Sequence, residues 1–133
     1  VKHYLDETIE IAREKGYSET LMGRRRNLPD LHHKNHNIRG FAERTAMNTP
    51  LQGSAADIIK LVMVKLYRAL EENGFQSKII LQVHDELILD CVKEEQPEVQ
   101  KLLKDIMEHT VDLRVPLTVD MKCGADWYHM NKI

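Results

Sequence analysis

Three features of the sequence predict an α+β fold, an antiparallel sheet with helices packed on one face. Lys78–Val92 (KIILQVHDELILDCV) carries two apolar arms of strand length joined by a very tight turn. Ala55–Asn73 is a long helical run that is apolar around most of its circumference. Helical and strand-like patterns alternate irregularly between and around these two stretches. The chain has 133 residues, 42% hydrophobic and 30% charged, enough for one domain with a core. No apolar run approaches the ~20 residues of a membrane-spanning helix.

The elements follow in order. Val1, Tyr4, Leu5, Thr8, Ile9 and Ala12 fall at helical spacing and predict a helix over Val1–Lys15, capped by Gly16. Tyr17–Met22 has strand character, Gly23 breaks it, and Arg24–Leu28 runs on to Pro29. A small hairpin or loop fits, presenting Arg24, Arg25 and Arg26 near its bend. A helix over Asn35–Asn48 follows, with Ile38, Phe41, Ala42, Thr45 and Ala46 as its apolar face. Arg44 and Asn48 lie four apart on another side, and Gln52 is four further on. Pro50 kinks or restarts the helix, and Gly53-Ser54 allows a close approach to a neighbour. The run 55–73 stops at Asn73-Gly74 and is expected to be the central buried helix. Pro97 opens a further helix ending near His109, and Leu117–Cys123 alternates as a third, half-buried strand. The tail from Gly124 to Ile133 is expected to be pinned by Trp127.

A net charge of −2 argues against a polyanionic partner, but its distribution argues for one. Between Met22 and Asn48 stand Arg24, Arg25, Arg26, Lys34, Arg39 and Arg44, with His32, His33 and His36, against only Asp30 and Glu43. Planar guanidinium groups donate in pairs to phosphate oxygens, although three loop arginines are equally consistent with a solvated turn. The hairpin tip His84-Asp85-Glu86 replaces the usual Asn-Gly with an imidazole and two carboxylates. A solvated polar turn fits this pattern; so does part of a Mg²⁺ site, which takes one or two carboxylates plus phosphate oxygens and waters. No convincing second carboxylate element is visible: Asp57 suits a cap or ion pair on its helix, and Asp90 sits within a strand. Cys91 and Cys123 form no Cys-x-x-Cys, which argues against zinc and for a reducing cytosol.

Three stretches together resemble the C-terminal part of family A DNA polymerases: TLMGRRRNLPD (Thr20–Asp30), AERTAMNTPLQGSAADIIK (Ala42–Lys60) and QVHDELILD (Gln82–Asp90). They occur in the family's order and spacing, and the resemblance covers essentially the whole chain. It implies one partial domain, with residues 1–54 the end of the fingers and 55–133 a palm portion. The hairpin 78–92 and strand 117–123 would belong to one palm-type sheet. Asp85 resembles the palm aspartate that binds catalytic Mg²⁺, Glu86 its acidic neighbour, and His84 the residue touching the primer 3′ end. Arg44, Asn48 and Gln52 match the helix that touches the minor groove of primer–template DNA. Donors there sense the acceptors common to every base pair. Arg24, Arg25 and Arg26 match the family's basic loop near the nucleic-acid backbone.

The resemblance further implies nucleotidyl transfer from a dNTP to a primer 3′-hydroxyl, in a bacterial, cytoplasmic and nucleoid-associated protein without a membrane partner. The family's partner aspartate and its dNTP-gripping helix are not in this sequence and would lie upstream of Val1. That the sequence opens on Val rather than Met fits a fragment. The fragment alone is expected not to polymerise DNA, and its exposed edge and apolar face to favour self-association. The rival readings are a non-catalytic nucleic-acid-binding module, a metal-dependent nuclease or phosphatase built on the His-Asp-Glu tip, and a polymerase fused to another activity.

Overall fold

Glycine and proline punctuate the chain where its local conformation changes hand. In a computed structural model, which describes residues 2–133, helix α1 (Lys2–Lys15) ends at Gly16, whose φ of 76° needs no Cβ clash to be relieved. A short hairpin follows, β1 (Tyr17–Glu19) against β2 (Arg25–Asn27), turned through Gly23 at φ 78°. A single 3₁₀ turn at Pro29–His32 leads to α2 (His36–Asn48), which is capped by the Asn35 side chain accepting from the Asn37 N–H. Pro50 does not break the chain out of helix. It sits in a wide π-helical turn, Thr49–Gly53, that passes directly into α3 (Ser54–Glu72). Widening one turn is how a helix absorbs a ring that cannot donate to the preceding turn.

The chain forms two compact units, the first reaching Ile58 and the second starting at Ile59. In the first, Ala12, Leu28, Leu31, Ala42 and Ala46 form the core. Small residues on α2 let α1 and the 3₁₀ turn come close. The apolar face predicted for α2 is therefore narrower than its periodicity suggests: Ala42 and Ala46 are buried, whereas Ile38 and Phe41 are exposed.

In the second unit, α3 turns at Gly74 (φ 71°) into the hairpin β3 (Lys78–Val83) and β4 (Glu86–Asp90), followed by α4 (Gln96–His109). Leu66, Leu70 and Val99 form its core, with Ile79, Leu87, Leu89, Leu102 and Ile106 packed against it. The central helix is buried along one side rather than around most of its circumference. Ile59, Val62, Leu66 and Leu70 form one buried stripe at helical spacing, while Val64 and Tyr67 are exposed, because α4 and the hairpin cover one side only.

The α+β class holds, but the single sheet expected from strand 117–123 does not form. The ladders are three separate antiparallel pairs. Only Lys122–Gly124 is a strand (β5), and it pairs with β6 (Met130–Lys132) rather than with the central hairpin. Three hydrogen bonds explain the difference. The Val119 N–H donates to the Glu108 carboxylate (3.2 Å), and Asp126 accepts from the N–H groups of Tyr128 (3.0 Å) and His129 (2.8 Å), folding the tail back. That turn holds the C-terminal stretch; Trp127 is 57% exposed and does not pin it.

Candidate functional site

The first unit carries the basic segment. Its three consecutive arginines have three different surroundings. Arg24 donates from Nε to the Asp57 carboxylate (2.8 Å) and from Nη2 to the Gly53 carbonyl (3.2 Å). Asp57, only 9% exposed, also accepts from the Thr20 hydroxyl (2.6 Å). Asp57 is thus the ion-pair residue expected of a carboxylate in the first turn of a helix. Arg25 pairs with Glu19 across the hairpin (2.7 Å) and lies over the Tyr17 ring (4.6 Å). Arg26 is exposed on β2 without an acidic partner among the described residues. Of the three, Arg26 alone has its whole guanidinium uncommitted among the described residues.

Arg44 and Asn48 are both exposed and lie one turn apart on α2, so they share a face. Gln52 is exposed in the π-helical turn that follows. The Arg24 bond to Gly53 ties the basic hairpin to that same turn. Close packing holds the junction: a Cβ on Gly53 would lie 2.7 Å from the Thr20 methyl. The Leu21 N–H also donates to the Ser54 hydroxyl there (2.8 Å). The Gly53-Ser54 pair therefore makes the close approach its residue types predict, and the neighbour is the Thr20–Arg24 turn.

The second unit carries the acidic tip. Val83 pairs with Glu86, which leaves His84 and Asp85 as a two-residue loop. His84 has φ of 52°, alone among the described non-glycine residues in the left-handed region. A two-residue hairpin demands positive φ at its first central position, and His tolerates it better than most side chains. The Gln82 amide reaches back to the His84 carbonyl and fastens the loop. His84, Asp85 and Glu86 are all exposed and consecutive, the first two in the loop and Glu86 at the head of β4. A non-glycine residue held in this region marks a constrained tip. Among the described residues no group of three or more His, Cys, Asp or Glu side chains could hold a metal ion. Two neighbouring exposed carboxylates do fit the protein's share of a Mg²⁺ site, which takes the rest from water and phosphate.

A further exposed side chain, Phe41, escaped the sequence reading because it falls on the helix's apolar spacing. It lines a small pocket with Arg26, Pro29, Asp30 and Thr45. No signal in the sequence distinguishes it from the buried Ala42 beside it.

An α+β chain with a donor-bearing helix face, a basic hairpin and an acidic two-residue tip has the parts of a protein that handles polyanions. Residues 1–129 match the model of DNA polymerase family A, and the chain belongs to that family. The curated relatives it matches carry the name DNA polymerase I. Identity over 128 residues is 55% with that of Streptococcus pneumoniae, 54% with that of Geobacillus stearothermophilus and 52% with that of Bacillus subtilis. In each case 96% of this chain is aligned, and the chain spans about one seventh of the relatives' length (14–15%). Among solved structures, the chain is similar to the POL domain of Pol1 from M. smegmatis in complex with DNA primer-template and dNTP. The TM-score is 0.86 at 45% identity, covering 87% of this chain and 20% of that one. Divalent-metal use is general to the family.

Proposed function

We propose that these residues are the end of the fingers (1–54) and a palm portion (55–133) of a DNA-directed DNA polymerase. That enzyme would transfer a nucleotidyl group from a dNTP to a primer 3′-hydroxyl and release pyrophosphate. The observation that carries the reading is the tip of the β3–β4 hairpin. There a two-residue loop, His84 in the left-handed region followed by Asp85, leads straight into Glu86, and all three are exposed. Asp85, supported by Glu86, would hold Mg²⁺, and the ions when bound would supply charge neutralisation on the phosphate oxygens. His84 would touch the primer terminus. Arg44, Asn48 and Gln52 would donate to the minor-groove acceptors that every base pair presents, monitoring pair shape without reading sequence. Arg26, with Arg24 and Arg25 behind it, would meet the phosphate backbone. Relatives of the same family, one of them solved with primer-template and dNTP, support these partners.

Primer extension by the full-length protein that carries these residues tests the reading. Asp85→Asn is expected to lower the rate about 100-fold or more, the scale of removing one group that stabilises developing charge. Primer–template affinity should survive the substitution. Undiminished extension by Asp85→Asn would remove the catalytic role from this tip and leave these residues as a nucleic-acid-binding part of the enzyme. The 133 residues alone are expected not to extend a primer.

A further inference from the structure

We propose that Phe41 and Arg26 form a stacking site for one unpaired nucleotide of a single-stranded segment adjoining a duplex. The inference rests on the DNA-binding reading of α2 and adds a ligand that this reading does not require. Four observations carry it. Phe41 is 64% exposed although its helical position predicts burial, so an aromatic face stands open on the surface. Arg26 is the one arginine of the triplet with no carboxylate partner among the described residues. The two side chains line the same pocket, of about 140 Å³, together with Pro29, Asp30 and Thr45. Finally, Phe41, Arg44, Thr45 and Asn48 fall at i, i+3, i+4 and i+7 of α2 and so share one face.

The chemistry of the pocket selects its occupant. Its volume lies well below the several hundred Å³ that enclose a small-molecule ligand, so it suits one ring of a larger molecule lying across the surface. A flat apolar ring beside a cation fits a base with its phosphate: the base stacks on Phe41 and the guanidinium of Arg26 takes the phosphate oxygens. Asp30 disfavours a phosphate on its own side and accepts from base amino or imino N–H groups, which fixes the orientation. Position completes the argument. Phe41 lies seven residues from Asn48, about 10 Å along the helix at 1.5 Å per residue. Arg44, the nearer donor, is three residues from Phe41, about 4.5 Å at the same rise, so a strand continuing along the helix from a duplex seated over both donors reaches Phe41 after about one base step.

The test compares two oligonucleotides on the full-length protein: a primer–template with a single-stranded template overhang, and a blunt duplex of the same paired sequence. Phe41→Ala is expected to weaken overhang binding roughly 5- to 150-fold, the range for losing one base–aromatic stack, and to leave blunt-duplex binding unchanged. Phe41→Trp restores overhang binding. Arg26→Gln lowers the salt slope of overhang binding by about one. Wild-type overhang affinity in Phe41→Ala, or equal losses on both DNAs, overturns the proposal. If Phe41→Ala fails to fold, Phe41→Leu keeps the apolar volume without the ring, and no overhang-selective loss there overturns it equally. Arg44→Ala separates the two readings. If it leaves blunt-duplex binding untouched, the DNA face on α2 is wrong; if it weakens that binding while Phe41→Ala changes nothing, only the stacking site falls.

Discussion

Gly53 is the residue whose replacement says most about how the donor face is held. A Cβ there would stand 2.7 Å from the Thr20 methyl, a distance that real Cβ contacts do not reach. The methyl cannot swing aside, because the Thr20 hydroxyl is committed to Asp57 at 2.6 Å and accepts from the Arg24 N–H at 3.1 Å. Gly53→Ala must therefore push the β1–β2 turn away from the π-helical turn. Overpacking of this kind costs about 1–3 kcal/mol, and thermal unfolding would show it as a lowered Tm. Thr20→Ser keeps the hydroxyl and removes the methyl, so Gly53→Ala combined with Thr20→Ser should recover most of the loss. Additive losses would show that the contact is not the cause. The residue types Gly53-Ser54 announce a close approach, but they do not say to what. Asp57 likewise reads as an ion-pair carboxylate, while its partner Arg24 lies 33 residues away and is fixed only by the fold. Local chemistry is legible in a sequence, and long-range pairing is not.

At the scale of elements, Glu95 binds the start of the acidic hairpin to the head of α4. Its carboxylate accepts from the N–H groups of Gln76 (2.9 Å) and Ser77 (3.0 Å) and from the Ser77 hydroxyl (2.6 Å). The same Ser77 oxygen accepts from the Val92 N–H (3.0 Å), so both ends of the β3–β4 hairpin meet at one buried serine. The Gln76 and Ser77 hydrogen bonds hold the Glu95 carboxyl below its ordinary value of 4.5. A carboxylate depressed in the folded state stabilises above its unfolded pKa and loses that stabilisation as pH falls through the folded value. Tm against pH should therefore show wild type above Glu95→Gln at neutral pH, with the two curves converging well below pH 4.5. A constant gap at all pH values would mean that shape, not charge, makes the clasp. The elements themselves were largely legible: the helices, the Gly16 and Gly74 stops and the central hairpin follow from periodicity and turn chemistry. Three things were not. The bulge between Ile79 and Leu81 shifts the register of β3 and turns Ile80 outward, where it is 61% exposed. Phe41 shares its spacing with buried alanines. Strand 117–123 lost its pairing to a local hairpin that Asp126 closes. Each depends on which partner is within reach, and periodicity does not encode that.

At the scale of the whole chain, the unsatisfied surface is the property that decides behaviour in solution. Among the described residues β3 and β4 pair only with each other, so each presents an open edge. Around that hairpin Ile80 and Leu81 are exposed, and on α3 of the same unit Val64 and Tyr67 are exposed too. A two-stranded hairpin is at best marginal unless something packs on it, and only its α3–α4 side is covered. The 133 residues in isolation should therefore self-associate with rising concentration, which light scattering would detect as growing mass. Ile80→Lys tests the cause. The position is largely exposed, so the charge costs little in folding, and lysine on an edge strand opposes pairing with a second copy. It should lower the associated mass without lowering Tm. A monodisperse wild-type monomer with one cooperative melt would mean that the hairpin is stable with its edges open. The exposed apolar side chains would then be ordinary surface, and no covering partner would be needed to explain them.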